Sequence, residues 1–283
     1  MCQRANNRRG RKLDNLELNN EMPPERLYKY YSATGIESVI SSNTIKWAIP
    51  CEENDPFEAL AIGWDLEAVK ESYPEFRPEQ TPIIDGYFNA RQAQKKVSHI
   101  TSFVSFTEDP ESVLLLAHYA DNHNGACLQF NMNLIQRIDC IECVKYVDPD
   151  EVRDRYPLPH SNQKEDGPEY QKRARAFLAK KSKDWAYEAE WRLIVPPMAA
   201  FIRCEKADKK YILVSDIPHG AITKLIFGYN VPISTRLAWA KQVLIKHPNC
   251  KFAEIVPKRT TYELEIEGLG LEIIQNPPKQ TST

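Results

Sequence analysis

Short segments in which hydrophobic and polar residues alternate recur along the chain and predict β-strands. The clearest is HITSFVSFT at residues 99–107, which is rich in β-branched and aromatic residues. The segment DWAYEAEWRLIV alternates in the same way, with charged residues on one face. The predicted strands cover residues 27–31, 44–49, 99–107, 126–131, 141–147, 184–195, 210–214, 222–228, 252–256 and 262–274.

Helical spacing of apolar residues predicts the elements between these strands. Thr34 is the predicted N-cap of the first helix, with Glu37 three residues later as in a capping box. Three prolines interrupt a polar, helix-prone region that ends near residue 98, so we predict two or more helices there. Further helices are predicted over residues 111–123, 169–183 and 234–246.

The irregular alternation of short strands and helices is typical of the α+β class and not of a repeating βα fold. We predict a single α+β domain over residues 26–274, built on a mixed, largely antiparallel split sheet flanked by helices. Residues 1–25 are polar and basic, without apolar periodicity. We predict that they form a disordered tail, as do residues 275–283.

The charge balance argues against a strongly basic surface, because 37 Lys and Arg residues accompany 39 Asp and Glu residues and the formal net charge is −2. Net charge therefore does not support nucleic-acid binding, although the basic N-terminal tail leaves it open. The longest apolar stretch, residues 113–117, is far shorter than the roughly 20 residues that span a bilayer. The sequence shows no signal-peptide pattern, so we predict a cytoplasmic protein with no membrane partner.

Seven cysteines are scattered along the chain, an odd number that does not suit a disulfide framework. Cys140 and Cys143 have the C-x-x-C spacing of zinc and redox sites. No second pair of cysteines or histidines follows nearby to complete the four ligands that zinc requires. We therefore interpret both as reduced thiols on a strand and predict no metal site there.

Two carboxylates and a guanidinium alternate in the predicted strand at residues 184–195. There Glu188, Glu190 and Arg192 share one face, with the Cα atoms of the two glutamates roughly 6.5–7 Å apart. If this face lines a cleft, mutual repulsion raises the pKa of one carboxylate and Arg192 lowers that of the other. Such a pair suits acid–base work or stabilisation of a developing cation. The alternative is an ordinary solvated face of an antiparallel sheet.

A second polar cluster, HYADNHNG, lies at the end of the predicted helix at residues 111–123. On a helix, Tyr119 and His123 lie one turn apart, and His118 pairs with Asn122. The density of polar groups suits binding of a substrate or a metal. It equally suits a capped helix end with ordinary surface histidines.

Two smaller features complete the candidates. In the loop NDPFE at residues 54–58, Asp55 and Glu58 are placed to cap the following helix. At the end of the strand at residues 99–107, Ser105 and Thr107 put two hydroxyls on one face, as any half-buried strand does.

Taken together and in this order, the clusters resemble a bacterial family known as domain of unknown function 2971. The resemblance extends over about residues 27–230, and the family has no assigned reaction. This chain has Val104, Ser105 and Phe106 where the family more often has a cysteine-containing strand. The matching segments are LYKY at 27–30, NDPFE at 54–58, VSFTEDPESVLLLAHYADNHNGACLQF at 104–130, KSKDWAYEAEWRL at 181–193 and LIFG at 225–228.

A second resemblance, to the ADP-ribosyltransferase superfamily, implies both a fold and a reaction. In that superfamily a basic or histidine residue on the first strand holds the dinucleotide, and a Ser/Thr motif supports the nicotinamide pocket. The last Glu of a Glu-x-Glu pair contacts the nicotinamide ribose. The resemblance implies that NAD is the substrate, either for ADP-ribosyl transfer or for NAD glycohydrolysis. Carried onto this chain, it implies Lys29 or Tyr28 in the first place, Ser105 and Thr107 in the second, Glu190 as the catalytic residue and Glu188 assisting the acceptor.

This assignment is chemically coherent, because breaking the nicotinamide–ribose bond develops positive charge that a fixed carboxylate stabilises. Tyr119 or Trp47 is expected to supply an aromatic wall, and His118 and Arg192 complete the cofactor-binding candidates. Lys29 departs from the Arg or His that the superfamily usually has at this position.

Two other hypotheses stay open. A metal-dependent hydrolase would use His118, His123, Asp55 and Glu190. A non-catalytic module for nucleotide sensing or partner binding, in bacterial stress or phage defence, would use the same cluster without turnover. The expected partner is a small-molecule nucleotide or a macromolecular acceptor of unknown identity.

Overall fold

The computed structural model describes residues 22–160, 167–207 and 210–270 of the chain. Seven α-helices and thirteen strands lie in this described part. The helices are α1 (Ala33–Ser42), α2 (Leu66–Ser72), α3 (Thr81–Gly86), α4 (Ala90–Ile100), α5 (Val113–Tyr119), α6 (Pro168–Leu178) and α7 (Ile233–Leu244). The strands are β1 (Arg26–Tyr31), β2 (Thr44–Trp47), β3 (Ser102–Thr107), β4 (Ala126–Asn131), β5 (Ile141–Cys143), β6 (Lys145–Val147), β7 (Lys180–Ser182), β8 (Glu190–Val195), β9 (Arg203–Ala207), β10 (Lys210–Asp216), β11 (Ile222–Phe227), β12 (Lys251–Pro257) and β13 (Leu264–Leu269).

Eight of the strands form one large sheet in the order β13-β12-β11-β4-β1-β3-β8-β5. Its neighbouring strands are antiparallel except for β11 and β12, which are parallel. A three-stranded sheet, β2-β10-β9, connects to it through a bridge between Ala48 and Phe103, and β6 pairs with β7. The predicted α+β class with a mixed, largely antiparallel sheet is confirmed.

Strand β4 shows how the sequence pattern produces the core. It lies between β1 and β11, and successive side chains point to opposite faces of the sheet. Leu128 and Phe130 therefore enter the largest hydrophobic cluster, whereas Cys127 packs on the other face with Tyr30. Both faces are covered, so the nearly continuous apolar run of this strand is buried.

The prediction of a strand over residues 184–195 is wrong for the first half of that segment. A 3-10 helix, Lys183–Glu188, occupies that part of the segment, with Ser182 as its N-cap. Ala189 then takes a left-handed conformation, with φ of 41°, and the strand begins at Glu190. Strand alternation therefore does not extend across the whole Glu-x-Glu-x-Arg pattern.

The helix predicted over residues 111–123 is also shorter than expected. Helix α5 ends at Tyr119, and Asp121, Asn122 and His123 then have φ values of 52°, 50° and 68°. Three consecutive residues in the left-handed region cannot continue a right-handed helix. The polar cluster is therefore a helix end followed by a tight turn.

Other boundaries also differ from the prediction. Ser32, and not Thr34, caps α1, because its hydroxyl accepts the backbone N–H of Gly35 at 3.1 Å. The helix predicted over residues 169–183 ends five residues early and is followed by β7. The strand predicted over residues 141–147 is two strands, β5 and β6, which pair with different partners.

The predicted disordered tails, residues 1–25 and 275–283, lie outside the described residues except for 22–25. Among the helices of the described part, none combines the length and the apolar composition that a membrane crossing requires.

Backbone contacts without intervening side chains join two of the segments that carry the family resemblance. Gly228 donates its backbone N–H to the carbonyl of Gly125 at 2.9 Å, and Asn230 donates to the carbonyl of His123 at 3.0 Å. A Cβ at Gly125 would collide with the carbonyl oxygen of Tyr31, and one at Gly228 with that of His123. Glycine is therefore required at both positions for close backbone approach.

We expect Gly125→Ala to lower the free energy of unfolding by about 1–3 kcal/mol or more, because backbone and not a flexible side chain must move. Gly268→Ala is the matched control, since a Cβ there meets nothing within 4 Å. Urea denaturation of both variants checks this. Equal stability of the two would show that the turn accommodates a side chain.

Candidate active site

Three neighbouring strands of the main sheet carry six of the nine predicted site residues. In the order β1-β3-β8, Tyr28 lies opposite Thr107, and Thr107 lies opposite Glu190. Ser105 lies opposite Arg192 one step further along. Segments that are far apart in sequence thus meet in one row across the sheet.

All of these residues except Arg192 line a cavity of about 140 Å³. The sequence-predicted residues that line it come from the three strands, from the end of α5 and from the 3-10 helix before β8. They are Tyr28, Lys29, Ser105, Thr107, Tyr119, Glu188 and Glu190. The structure therefore brings seven of the nine candidates to one place, while their roles stay predictions.

The guanidinium of Arg192 lies directly behind the cavity wall and is 1% exposed. It forms two hydrogen bonds with Glu58, at 2.7 and 2.8 Å, and two with Glu190, at 2.8 and 3.0 Å. Its fifth N–H reaches the carbonyl oxygen of Leu178 at 2.5 Å, and the guanidinium stacks 4.7 Å from the ring centre of Phe103. All five N–H groups of this arginine have an acceptor.

A second cation, Lys181, bridges the two glutamates of the Glu-x-Glu pair. Its Nζ lies 2.5 Å from Glu188 and 3.4 Å from Glu190, and 4.6 Å above the ring of Trp185. Glu188 also accepts a hydrogen bond of 2.7 Å from the hydroxyl of Tyr119. The left-handed turn before β8, and not strand alternation, thus places both carboxylates beside one lysine.

Burial and ion pairing act in opposite directions on these groups. Burial raises the pKa of Glu190, but Arg192 and Lys181 outweigh it and lower that pKa to about 2. Burial raises the pKa of Glu58 despite its contact with Arg192, and lowers the pKa of Lys29, whose Nζ donates to the carbonyl of Ser105 at 2.9 Å. Glu190 is therefore ionised at neutral pH, as the predicted effect of Arg192 requires.

Two predicted cofactor-binding residues do not line the cavity. Arg192 is buried behind it with every N–H engaged, and so it positions Glu190. His118 is exposed, with its ring packed near those of Tyr119 and Tyr187. Trp47, one of the two residues expected to form an aromatic wall, is instead buried in the core and is not part of this cavity.

Two of the four residues of the metal hypothesis, Asp55 and Glu190, are engaged elsewhere. Asp55 accepts the backbone N–H of Phe57 at 2.9 Å within its own loop, and Glu190 is paired with two cations. Within the described residues, no group of three or more His, Cys, Asp or Glu side chains is arranged to hold a metal ion.

Sequence reasoning missed three charged members of the site. Glu58 was expected to cap a helix but pairs with Arg192, and Lys181 was placed on a helix. Glu53 also lines the cavity, and no sequence pattern singles it out. Glu58 and Lys181 do fall within NDPFE and KSKDWAYEAEWRL, two of the segments that carry the family resemblance. That location is the one sequence signal that links them to the site.

The fold and the site together define an α+β protein with a small polar cavity above a buried network of ion pairs. Residues 116–193 match the model of a family described as "Protein of unknown function (DUF2971)", which confirms the resemblance over this segment. The segment runs from α5 to β8 and contains Tyr119, Lys181, Glu188, Glu190 and Arg192. No curated protein and no solved structure shows significant similarity to the chain.

The lowered pKa of Glu190 predicts a pH-dependent contribution to stability. Its folded pKa of about 2 lies below the ordinary value of 4.5, so the contribution is fully present above pH 4.5 and is lost as the pH falls towards 2. It is on the order of 3 kcal/mol. We therefore expect the difference in the free energy of unfolding between wild type and Glu190→Gln to shrink between about pH 5 and pH 3 in urea titrations.

Glu263→Gln is the control for this experiment, because Glu263 also pairs with a lysine but is exposed to solvent. The free energy of unfolding of this variant should differ little from that of the wild type at every pH, since solvent screens the pair. A constant difference between wild type and Glu190→Gln across this range would contradict the prediction.

Proposed function

We propose that this protein cleaves the bond between nicotinamide and ribose in NAD and passes ADP-ribose to water or to an acceptor. The observation that carries the proposal is the carboxylate of Glu190, which is fixed at the wall of the cavity and ionised. Arg192 and Lys181 hold it there.

A fixed, permanently charged carboxylate suits this reaction better than it suits proton transfer. With a pKa of about 2, Glu190 is a poor general acid or base near neutral pH. It is well suited to stabilise the positive charge that develops on ribose as nicotinamide leaves. Because its ion pairs are already formed, it needs no reorganisation when that charge appears.

The other cavity residues fit the roles that the superfamily resemblance implies. Lys29 lies on the first strand, and Ser105 and Thr107 lie on its neighbour, as the resemblance requires. The rings of Tyr28 and Tyr119 line the same cavity and supply apolar surface for nicotinamide. In this proposal Glu188 orients Tyr119 and Lys181 through its two carboxylate oxygens.

The size of the cavity supports binding of one end of a dinucleotide. A volume of about 140 Å³ is below the roughly 300–1,000 Å³ of pockets that enclose drug-sized ligands. Lys181 also lines a second space, a cleft of about 450 Å³. Trp185 and Phe57 line this cleft but not the cavity. The remainder of the substrate, or the acceptor, has room there.

The test is incubation with NAD and measurement of released nicotinamide by chromatography. We expect turnover by the wild type and a fall of about 10²–10³-fold in Glu190→Gln, because an electrostatic contact to the transition state is removed. Glu142→Gln is the matched control. Glu142 is also a buried glutamate paired with an arginine, Arg175 at 2.9 Å, but it does not line the cavity.

The control should keep its activity, and melting curves of both variants must show that each is folded at the assay temperature. Absence of nicotinamide release by the wild type, with no rise in melting temperature on adding NAD, would remove the proposal. A rise in melting temperature without turnover would favour the nucleotide-sensing module instead.

A further inference from the structure

A third carboxylate, Glu53, lines the same cavity as Glu188 and Glu190. It follows the short 3-10 helix Pro50–Glu52 and is half-buried. Its extended backbone, with φ of −74° and ψ of 157°, follows that helix directly. The cavity is therefore bordered by two carboxylates from the β8 side and one from the opposite loop.

The pairing of Glu53 differs from that of the other two. Glu188 pairs with Lys181, and Glu190 pairs with both Arg192 and Lys181. Among the ion pairs of the described residues, none within 4 Å includes Glu53. Its carboxylate is therefore free to exchange a proton with a molecule in the cavity without breaking a salt bridge.

The electrostatic surroundings favour proton uptake by Glu53. Burial raises its pKa above the ordinary value of 4.5, Glu190 raises it further, and the positive charges nearby only partly offset this. Tyr119, which also lines the cavity, has a pKa raised by burial and by Glu188, so it stays protonated. The charged groups that line the cavity with Glu53 are Lys29 of β1, Lys46 of β2, Lys181 of β7, Glu188, and Glu190 of β8. The buried Arg192 acts on Glu53 from behind the cavity wall.

We infer that Glu53 is the general base of the site and removes the proton from the oxygen that attacks ribose. This inference rests on the proposed cleavage of NAD. The C1′–N bond to nicotinamide breaks, and its electron pair neutralises the pyridinium nitrogen. A lone pair of water or of an acceptor hydroxyl forms the new C1′–O bond. The proton of that oxygen moves to the carboxylate of Glu53 and then to solvent.

The assignment gives the two chemical tasks to different carboxylates, with Glu190 stabilising the ribosyl cation and Glu53 removing the proton. Glu190 suits the first task because it is held in its charged form. Glu188 has both oxygens engaged, one by Tyr119 and one by Lys181. Sequence resemblance gave the acceptor-side role to Glu188. The contacts favour Glu53 for it, because a general base needs a pKa nearer to the working pH and a free oxygen.

The experiment measures nicotinamide release as a function of pH for wild type and Glu53→Gln. The wild-type rate should rise with pH through an acid limb, because the base must lose its proton, and this limb should be absent in the variant. We expect kcat to fall about 10²–10⁴-fold with KM for NAD little changed. Glu52→Gln, at the exposed neighbouring position outside the cavity, should behave as wild type.

Chemical rescue separates catalysis from a structural role. In Glu53→Ala, added formate should restore part of the lost rate, because it fits the space of the missing carboxylate and accepts a proton. Formate should not change the rate of Glu52→Ala. A Glu53→Gln variant with the wild-type rate and pH profile, or loss of the acid limb in Glu188→Gln instead, would overturn the assignment while leaving the proposed function intact. If the wild type itself releases no nicotinamide, the proposed function fails and the general base with it.

Discussion

The buried guanidinium of Arg192 is the group on which the rest of the site depends. A charge that is 1% exposed costs several kcal/mol unless it is paired and fully hydrogen-bonded. Glu58 from a loop, Glu190 from β8 and the last carbonyl of α6 together satisfy all five of its N–H groups. One side chain therefore fixes the relative positions of a loop, a strand and a helix end. Losing either carboxylate would leave two of these N–H groups without an acceptor and the buried cation with one counter-charge fewer.

This arrangement sorts the ionisable groups at the cavity into two sets. Glu188, Glu190 and Lys181 are held by mutual ion pairs, whereas Lys29 and Glu53 face the cavity without an ion pair within 4 Å among the described residues. Burial shifts the pKa of these two groups towards their neutral forms, down for the lysine and up for the glutamate. Shifts of this kind also occur in structural networks. What makes them relevant to chemistry here is that both side chains line the cavity.

The sequence was sufficient to predict the class of fold and most of the strands, because alternation of apolar residues depends only on neighbours two positions apart. It did not reveal the 3-10 helix before β8, since a left-handed Ala189 interrupts a segment whose letters still alternate. Only part of the site was predictable, because the sequence pattern shows local features and not contacts between distant segments. Polar residues in apolar strands, such as Ser105 and Glu190, stand out locally, whereas Glu58 is recognisable as a partner of Arg192 only in the fold, 134 residues away.

The segment that matches the family model contains only part of the ion-pair network around Arg192. The matched segment, residues 116–193, contains Arg192, Lys181 and the Glu-x-Glu pair, but not Glu58. With Glu190 as its only carboxylate, the buried guanidinium would keep three of its five hydrogen bonds, two to Glu190 and one to the carbonyl of Leu178. In this chain the second carboxylate comes from outside the matched segment. The loop that provides Glu58 here also carries Glu53, so the demand of a buried cation for a second carboxylate brings a further carboxylate to the wall of the cavity.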